Sequence, residues 1–210
     1  MKITKMLRRR GHIYEVRFDD GTYINLDIAY ANGKGISEGM EIDDETSIKM
    51  EDESDSIRCT SRALYYLSQS DKSVKKLKEK LIRAGFEERF VNSSIERLKE
   101  LGYVNDDEYA LKMARKCYEE ALSYRMSIDK LVGSGISRDK AKEVCVFSHE
   151  EEQEKIKRLL NSKYFTKLGT AEDIQKTAAA LGRRGFGFSD IREALKEFDM
   201  RLKDGEYYNE

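Results

Sequence analysis

A chain of 210 residues that is 38% charged and 39% hydrophobic, with no proline, suits one or two thinly cored domains rather than one deep globule. Its 39 Lys+Arg and 40 Asp+Glu nearly cancel, so net charge alone points to no polyanion and no membrane surface. The sequence shows no apolar run of spanning length and no signal peptide. Its three cysteines (Cys59, Cys117, Cys145) lack C-x-x-C spacing, which together points to free thiols in a reducing cytoplasm.

Residues 1–30 read as strands. Ile13 to Phe18 alternates in polarity, Asp19-Asp20-Gly21 makes a turn, and Thr22 to Leu26 forms the returning arm. Lys2 to Leu7 adds a third strand, followed by a basic turn, Arg8-Arg9-Arg10-Gly11. Residues 31–43 hold three glycines and read as loop with short helical pieces. The acidic stretch from Asp43 to Asp55 reads as a helical connector or a flexible linker.

From Ile57 onward the apolar residues take a helical period. The first helix is expected to carry Ile57, Leu64 and Leu67 inward. The second follows a cap at Asp71 or Ser73 and carries Val74, Leu77, Leu81 and Ile82. A third runs over residues 87–101 with Val91, Ile95 and Leu98 inward. The pattern restarts at Asn105 and again near Glu150, with cap signals at Ser137 and at Thr170-Ala171-Glu172-Asp173.

These helices fall into a repeat of 50 residues. Gly85-Phe86, Gly135-Ile136 and Gly185-Phe186 occupy equal positions, as do Leu81, Leu131 and Leu181. Glycine followed by an apolar residue is the signature of a helix that ends in a left-handed turn. The expected fold is mainly α: three tandem three-helix repeats in an elongated, curved array, preceded by a small β-containing N-terminal domain. The expected divisions are 1–55 for the β domain and acidic stretch, then 56–105, 106–148 and 149–203 for the repeats. Residues 204–210 read as a frayed tail.

Charge is unevenly placed. Residues 1–55 hold 8 basic and 13 acidic groups, whereas residues 56–105 hold 11 and 6, a basic block beside an acidic one. On the second helix of the first repeat, Lys76, Lys80 and Arg83 fall opposite Val74, Leu77 and Leu81, and Lys72 extends the row. The repeat brings Lys176 onto Lys76, Arg183 onto Arg83 and Lys130 onto Lys80. With Arg115, Lys116 and Arg184, these cations form the expected surface for phosphates or an acidic protein groove.

Nothing in the chain spells a nucleotide loop, a zinc-protease helix or a nucleophile elbow, and His12 and His149 stand far apart. No catalytic residue, cofactor site or metal site is therefore expected. Gly182-Arg183-Arg184-Gly185 has the form of a backbone-clamping GXXG loop, but capping already accounts for Gly185.

The first repeat resembles the RecX family. The likeness rests on Ser61-Arg62-Ala63-Leu64-Tyr65-Tyr66-Leu67, Asp71-Lys72-Ser73, Gly85-Phe86, Leu98-Lys99-Glu100-Leu101-Gly102-Tyr103 and Asn105-Asp106-Asp107-Glu108-Tyr109-Ala110. The family's three tandem three-helix units match the 50-residue period, and residues 1–55 resemble an extension found in some members. The resemblance implies a non-enzymatic regulator of RecA, the recombinase that forms filaments on single-stranded DNA. Such a protein binds in the filament groove and limits recombinase and coprotease activity, with roles in recombination, DNA repair and the SOS response. The expected partners are the RecA filament and DNA itself, with no membrane, and the expected state is a monomer. The rival reading is a DNA-binding or architectural protein that uses the same basic face without RecA.

Overall fold

Three short strands open the chain in a computed structural model that describes residues 1–165 and 168–203, with side chains as far as Phe198. They are β1 (Ile3–Arg9), β2 (Ile13–Phe18) and β3 (Tyr23–Asp27), antiparallel in the order β1-β2-β3. Alternation puts Val16, Phe18, Ile24 and Leu26 on one face, where they bury against Tyr30, Ala31 and Met50. Asp27 ends β3 and caps the short helix α1 (Ile28–Gly33) by accepting the Ala29 and Tyr30 N–H groups.

The acidic stretch is helical. It forms the first half of α2 (Asp44–Gln69), a 26-residue helix capped by the Asp43 carboxylate on the Thr46 N–H. Glu51 and the Ser54 hydroxyl accept the Asn25 and Asp27 N–H groups, so α2 covers the outer edge of β3. Tyr30 donates to Glu53 at 3.0 Å. These carboxylates hold the sheet in place rather than merely solvating a linker.

The second half of α2 packs with α3 (Val74–Arg83) and α4 (Glu88–Glu100). Its inward face differs from the expected one. Ile57 is 43% exposed and Leu64 38%, whereas Cys59 and Ala63 are fully buried against Leu77, Leu81, Val91, Ile95 and Leu98. Small residues one helical turn apart let α4 approach closely, and Thr60 and Ser94 share a hydrogen bond across that contact at 2.9 Å. Ile82 is likewise 46% exposed, because the apolar stripe of α3 is set by Leu77 and Leu81.

The remaining helices are α5 (Asp106–Glu119), α6 (Tyr124–Gly133), α7 (Arg138–Val144), α8 (His149–Leu159), α9 (Ala171–Arg183) and α10 (Phe188–Lys203). A five-residue π-helical segment, Leu160–Tyr164, continues α8. The chain divides into two compact units, one ending at Asn105 and the other starting at Asp106. All three strands lie before Ile28, and helices follow among the described residues, as the change of period near Ile57 requires. The stretch expected to fray, 204–210, lies outside the described residues.

The repeat is closed by one device. Gly85, Gly135 and Gly185 have φ of +92°, +100° and +85°. In each case the glycine N–H and the next N–H fold back: Phe86, Ile136 and Phe186 donate to Leu81, Leu131 and Leu181. That is the paired-bond helix stop expected of Gly-apolar endings. The C-caps Ala84, Ser134 and Arg184 keep the 50-residue period, as do the N-caps Ser73 and Ser123, while the N-cap Thr170 comes early because α9 is a turn longer. Ala121 (φ +49°) makes the same fold-back at the end of α5 without a glycine.

Candidate partner-binding faces

In the first unit, Ser73 caps α3 through the Lys76 N–H, and Leu77 and Leu81 turn inward. Lys72, Lys76, Lys80 and Arg83 are left on the solvent side, but in different electrostatic settings. Lys76 pairs with Glu79 on its own helix at 3.0 Å. The Lys72 ammonium donates to the Ser70 carbonyl and hydroxyl at 3.0 and 2.6 Å. Partial burial, and then the neighbouring Lys80 charge, lower the Lys72 pKa. The adjacent Asp71 carboxylate offsets part of this, and the repulsion that remains between the two ammonium groups is what an anion would relieve. Arg83 stands exposed at the end of α3.

Three residues that the charge pattern did not single out extend this face. The Arg62 guanidinium lies 5.9 Å from both the Tyr65 and the Tyr66 ring centroids, and the Lys80 ammonium lies 5.2 Å from Tyr66. The signal was present in the i, i+3, i+4 spacing of Arg62, Tyr65 and Tyr66 on α2. Counting lysines on one helix passes over it, because the rings belong to the neighbouring helix.

In the second unit, several of the expected cations are bound to the protein itself. Lys130 pairs with Glu120 at 2.6 Å, Lys116 reaches the same carboxylate at 4.0 Å, and Arg184 donates to the Glu120 carbonyl at 3.4 Å. The Lys130 hydrogen bond is the main reason the Glu120 carboxyl sits below its usual range. Lys176 pairs with Glu172 one turn away at 2.7 Å, while Arg115 and Arg183 are exposed. Positions that match in the repeat thus do different jobs: Lys80 sits on a tyrosine ring, and Lys130 closes an ion pair. The Gly182-to-Gly185 stretch is a helix end, with the Arg184 carbonyl accepting from the Ser123 hydroxyl.

The second unit also buries a charge. Lys155 is 1% exposed, pairs with Glu152 at 2.8 Å, and places its ammonium 3.1 Å from the Phe147 centroid and 5.2 Å from that of Tyr118. Glu152 also accepts the Tyr124 N–H at the start of α6. All three cysteines are buried, and burial pushes the Cys145 thiol up to about 11, far from a reactive thiolate. Among the described residues, no helix is long and apolar enough to cross a membrane.

Tandem three-helix units behind a small antiparallel sheet define a helical-repeat protein. Residues 59–98 match the family model for the first three-helix domain of RecX, and residues 150–195 match the third. Among curated proteins, the chain is 28% identical to regulatory protein RecX of Caldanaerobacter subterraneus subsp. tengcongensis, over 93% of this chain and 98% of that one. It is 26% identical to regulatory protein RecX of Streptococcus gordonii, over 95% and 78%. The fold matches a crystal structure of regulatory protein RecX with a TM-score of 0.63 at 21% identity, over 93% of this chain and 98% of that one. It also matches RecX from Lactobacillus salivarius at 0.60 and 21%, over 70% and 97%. The likeness to the RecX family read from residues 61–110 is therefore borne out, and it extends along nearly the whole chain.

Proposed function

We propose that this protein is a cytoplasmic modulator of RecA that binds the RecA–DNA filament as a monomer and limits its recombinase and coprotease activities, without turnover of its own. One observation carries the reading: the chain is similar over 93% of its length to a protein named regulatory protein RecX. The α3 face with Lys72, Lys76, Lys80 and Arg83, extended by Arg62, is the preferred contact surface in the first unit. In the second unit, exposed Arg115 and Arg183 are better placed than Lys116, Lys130 or Arg184, which are held by Glu120 or its carbonyl. Processes that depend on the filament, namely recombination, DNA repair and SOS induction, would be damped.

A second reading, direct DNA binding without RecA, draws support from the opposed Lys72 and Lys80 charges. One titration separates the two. Labelled protein is mixed with RecA–nucleotide–single-stranded DNA filaments, with RecA alone and with DNA alone. Filament modulation requires much tighter binding to the filament than to either component. Equal affinity for bare DNA, with a steep salt dependence, favours the second reading.

A further inference from the structure

A groove of about 360 Å³ opens in the first unit, between the β1–β2 turn and the second half of α2. Its size falls within the range of small-ligand sites. Among the residues lining it are His12, Arg58, Arg62, Tyr65 and Phe86. Two guanidinium groups sit over two rings: Arg58 lies 5.9 Å from the Phe86 centroid, and Arg62 lies 5.9 Å from that of Tyr65. Phe86 is held there by the helix stop at Gly85. Its counterparts Ile136 and Phe186 are buried at 4% and 5%, whereas Phe86 is only half-buried and reaches the groove. On the opposite side, Gly11 and His12 both adopt left-handed backbone, at φ +83° and +60°. A histidine held in that region is strained, and such strain gathers at ligand sites.

The charges of the groove are unequally committed. Arg58 is paired with Asp55. The Asp27 carboxylate, which also lines the groove, is engaged by the Ala29 and Tyr30 N–H groups. Arg62 makes no ion pair among the described residues, and Tyr65 is 54% exposed. Beyond Tyr66 the row continues to Lys80 and Lys72, whose charges oppose each other. An uncommitted guanidinium beside an open aromatic face suits a ligand with a planar ring and a phosphate. An acidic peptide would satisfy the cations and leave the rings unused.

We propose that this groove binds one nucleotide unit, its base on the Tyr65 ring and its phosphate at Arg62. The proposal goes beyond RecA modulation and does not depend on it. The shared chemistry could come from a free nucleotide or from one nucleotide of a single strand.

The test uses the full chain without RecA. A fluorescein-labelled oligothymidylate is titrated by polarisation, and a 5-iodouracil version is photocrosslinked and mapped by mass spectrometry. The expected results are a crosslink at Tyr65, about tenfold weaker binding for Tyr65→Ala and for Arg62→Ala, and near-full binding for Tyr65→Phe. Both positions are exposed, so folding should be retained, which circular dichroism checks. Competition by thymidine monophosphate or ATP at equal potency assigns the groove to free nucleotides; competition only by unlabelled strand assigns it to nucleic acid. Crosslinks confined to other residues, unchanged affinity in Tyr65→Ala, or equal competition by oligoglutamate would each overturn the proposal. RecA ATP hydrolysis measured with the same variants is a separate readout, so failure of the groove and failure of RecA modulation are distinguishable.

Discussion

The Ser123 hydroxyl donates to the Arg184 carbonyl oxygen at 2.8 Å while accepting the Met126 N–H at 3.2 Å. One side chain therefore serves an orphan N–H at the start of α6 and an orphan carbonyl at the end of α9, 61 residues apart. The glycine that follows Arg184 lies against this junction. A Cβ on Gly185 would meet the Ser123 Oγ at 2.5 Å and the Met126 Cγ at 2.8 Å, whereas one on Gly85 would meet nothing within 4 Å.

Gly85 and Gly185 should therefore differ on substitution. Gly85→Ala should cost about 1 kcal/mol, the strain of holding alanine in left-handed backbone. Gly185→Ala adds a clash and the loss of a hydrogen bond, for a total of about 2–3 kcal/mol. Urea denaturation of the two variants measures the order. An equal or smaller loss at Gly185 would contradict the junction described.

Lys155 and Glu152 should respond asymmetrically. Glu152→Gln strips the buried ammonium of its counter-charge and should cost about 3–5 kcal/mol, as for other broken buried pairs. Lys155→Met keeps the volume and apolar stem against Phe147 and removes the charge, so it should cost under about 1.5 kcal/mol or stabilise. Thermal denaturation of both variants decides. A Lys155→Met loss as large as that of Glu152→Gln would show the cation–ring contact with Phe147 to be strongly stabilising in itself.

Much of this fold is legible in the sequence because its signals are local. The hairpin turn at Asp19-Gly21, the Ser137 and Thr170 caps and the glycine stops each depend on a few adjacent residues, and each is present. The reciprocal capping box, however, lies at Ser148 and Glu151, just ahead of the expected restart near Glu150. At Thr170 the hydroxyl accepts the Asp173 N–H and donates to its carboxylate, a shorter variant of the same idea. The inward face of α2 departs from expectation because side-chain size is a poor guide there: close packing selects Cys59 and Ala63 instead. The candidate surface is less legible. A stripe of lysines is visible in sequence, but whether a lysine meets a carboxylate depends on the opposing element. Spacing alone assigns neither Glu120 to Lys130 nor Tyr66 to Lys80.

The sheet should carry an acid-sensitive ion cluster. Hydrogen bonds from Arg9 and then Arg17 lower the Glu15 carboxyl from 4.5 to about 2. A depressed folded pKa means that the contribution is full above about pH 4.5 and fades as pH falls toward about 2. Arg9 and Arg17 are about half exposed, so salt should shrink the effect. Glu15→Gln should remove this part of the acid dependence while leaving neutral-pH folding intact. Carbon-detected NMR titration of the Glu15 carboxyl reads it directly, and a midpoint near 4.5 would dismiss the cluster.

The last expectation concerns the proposed contact with the RecA filament. Lys72, Lys76, Lys80 and Arg83 lie opposite Leu77 and Leu81, so changing all four to Glu should leave α3 folded. Lys76→Glu alone should matter least for binding, because Lys76 is already neutralised by Glu79. Lys72→Glu and Lys80→Glu should matter most, because they remove the opposed charges that an anion would relieve. On the proposed reading, the quadruple variant loses filament affinity, more so at low salt where charges are less screened, and no longer lowers RecA ATP hydrolysis. If the cations meet single-stranded phosphate, the log–log salt slope falls by about 0.7 for each phosphate no longer neutralised. If they meet acidic side chains of RecA, affinity falls without that change in slope. Lys130→Glu is the control for folding: it opposes Glu120 with a like charge, so any loss should appear first as reduced thermal stability. A quadruple variant with full affinity and full inhibition would move the binding surface away from α3, to Arg115 and Arg183 or to the N-terminal sheet.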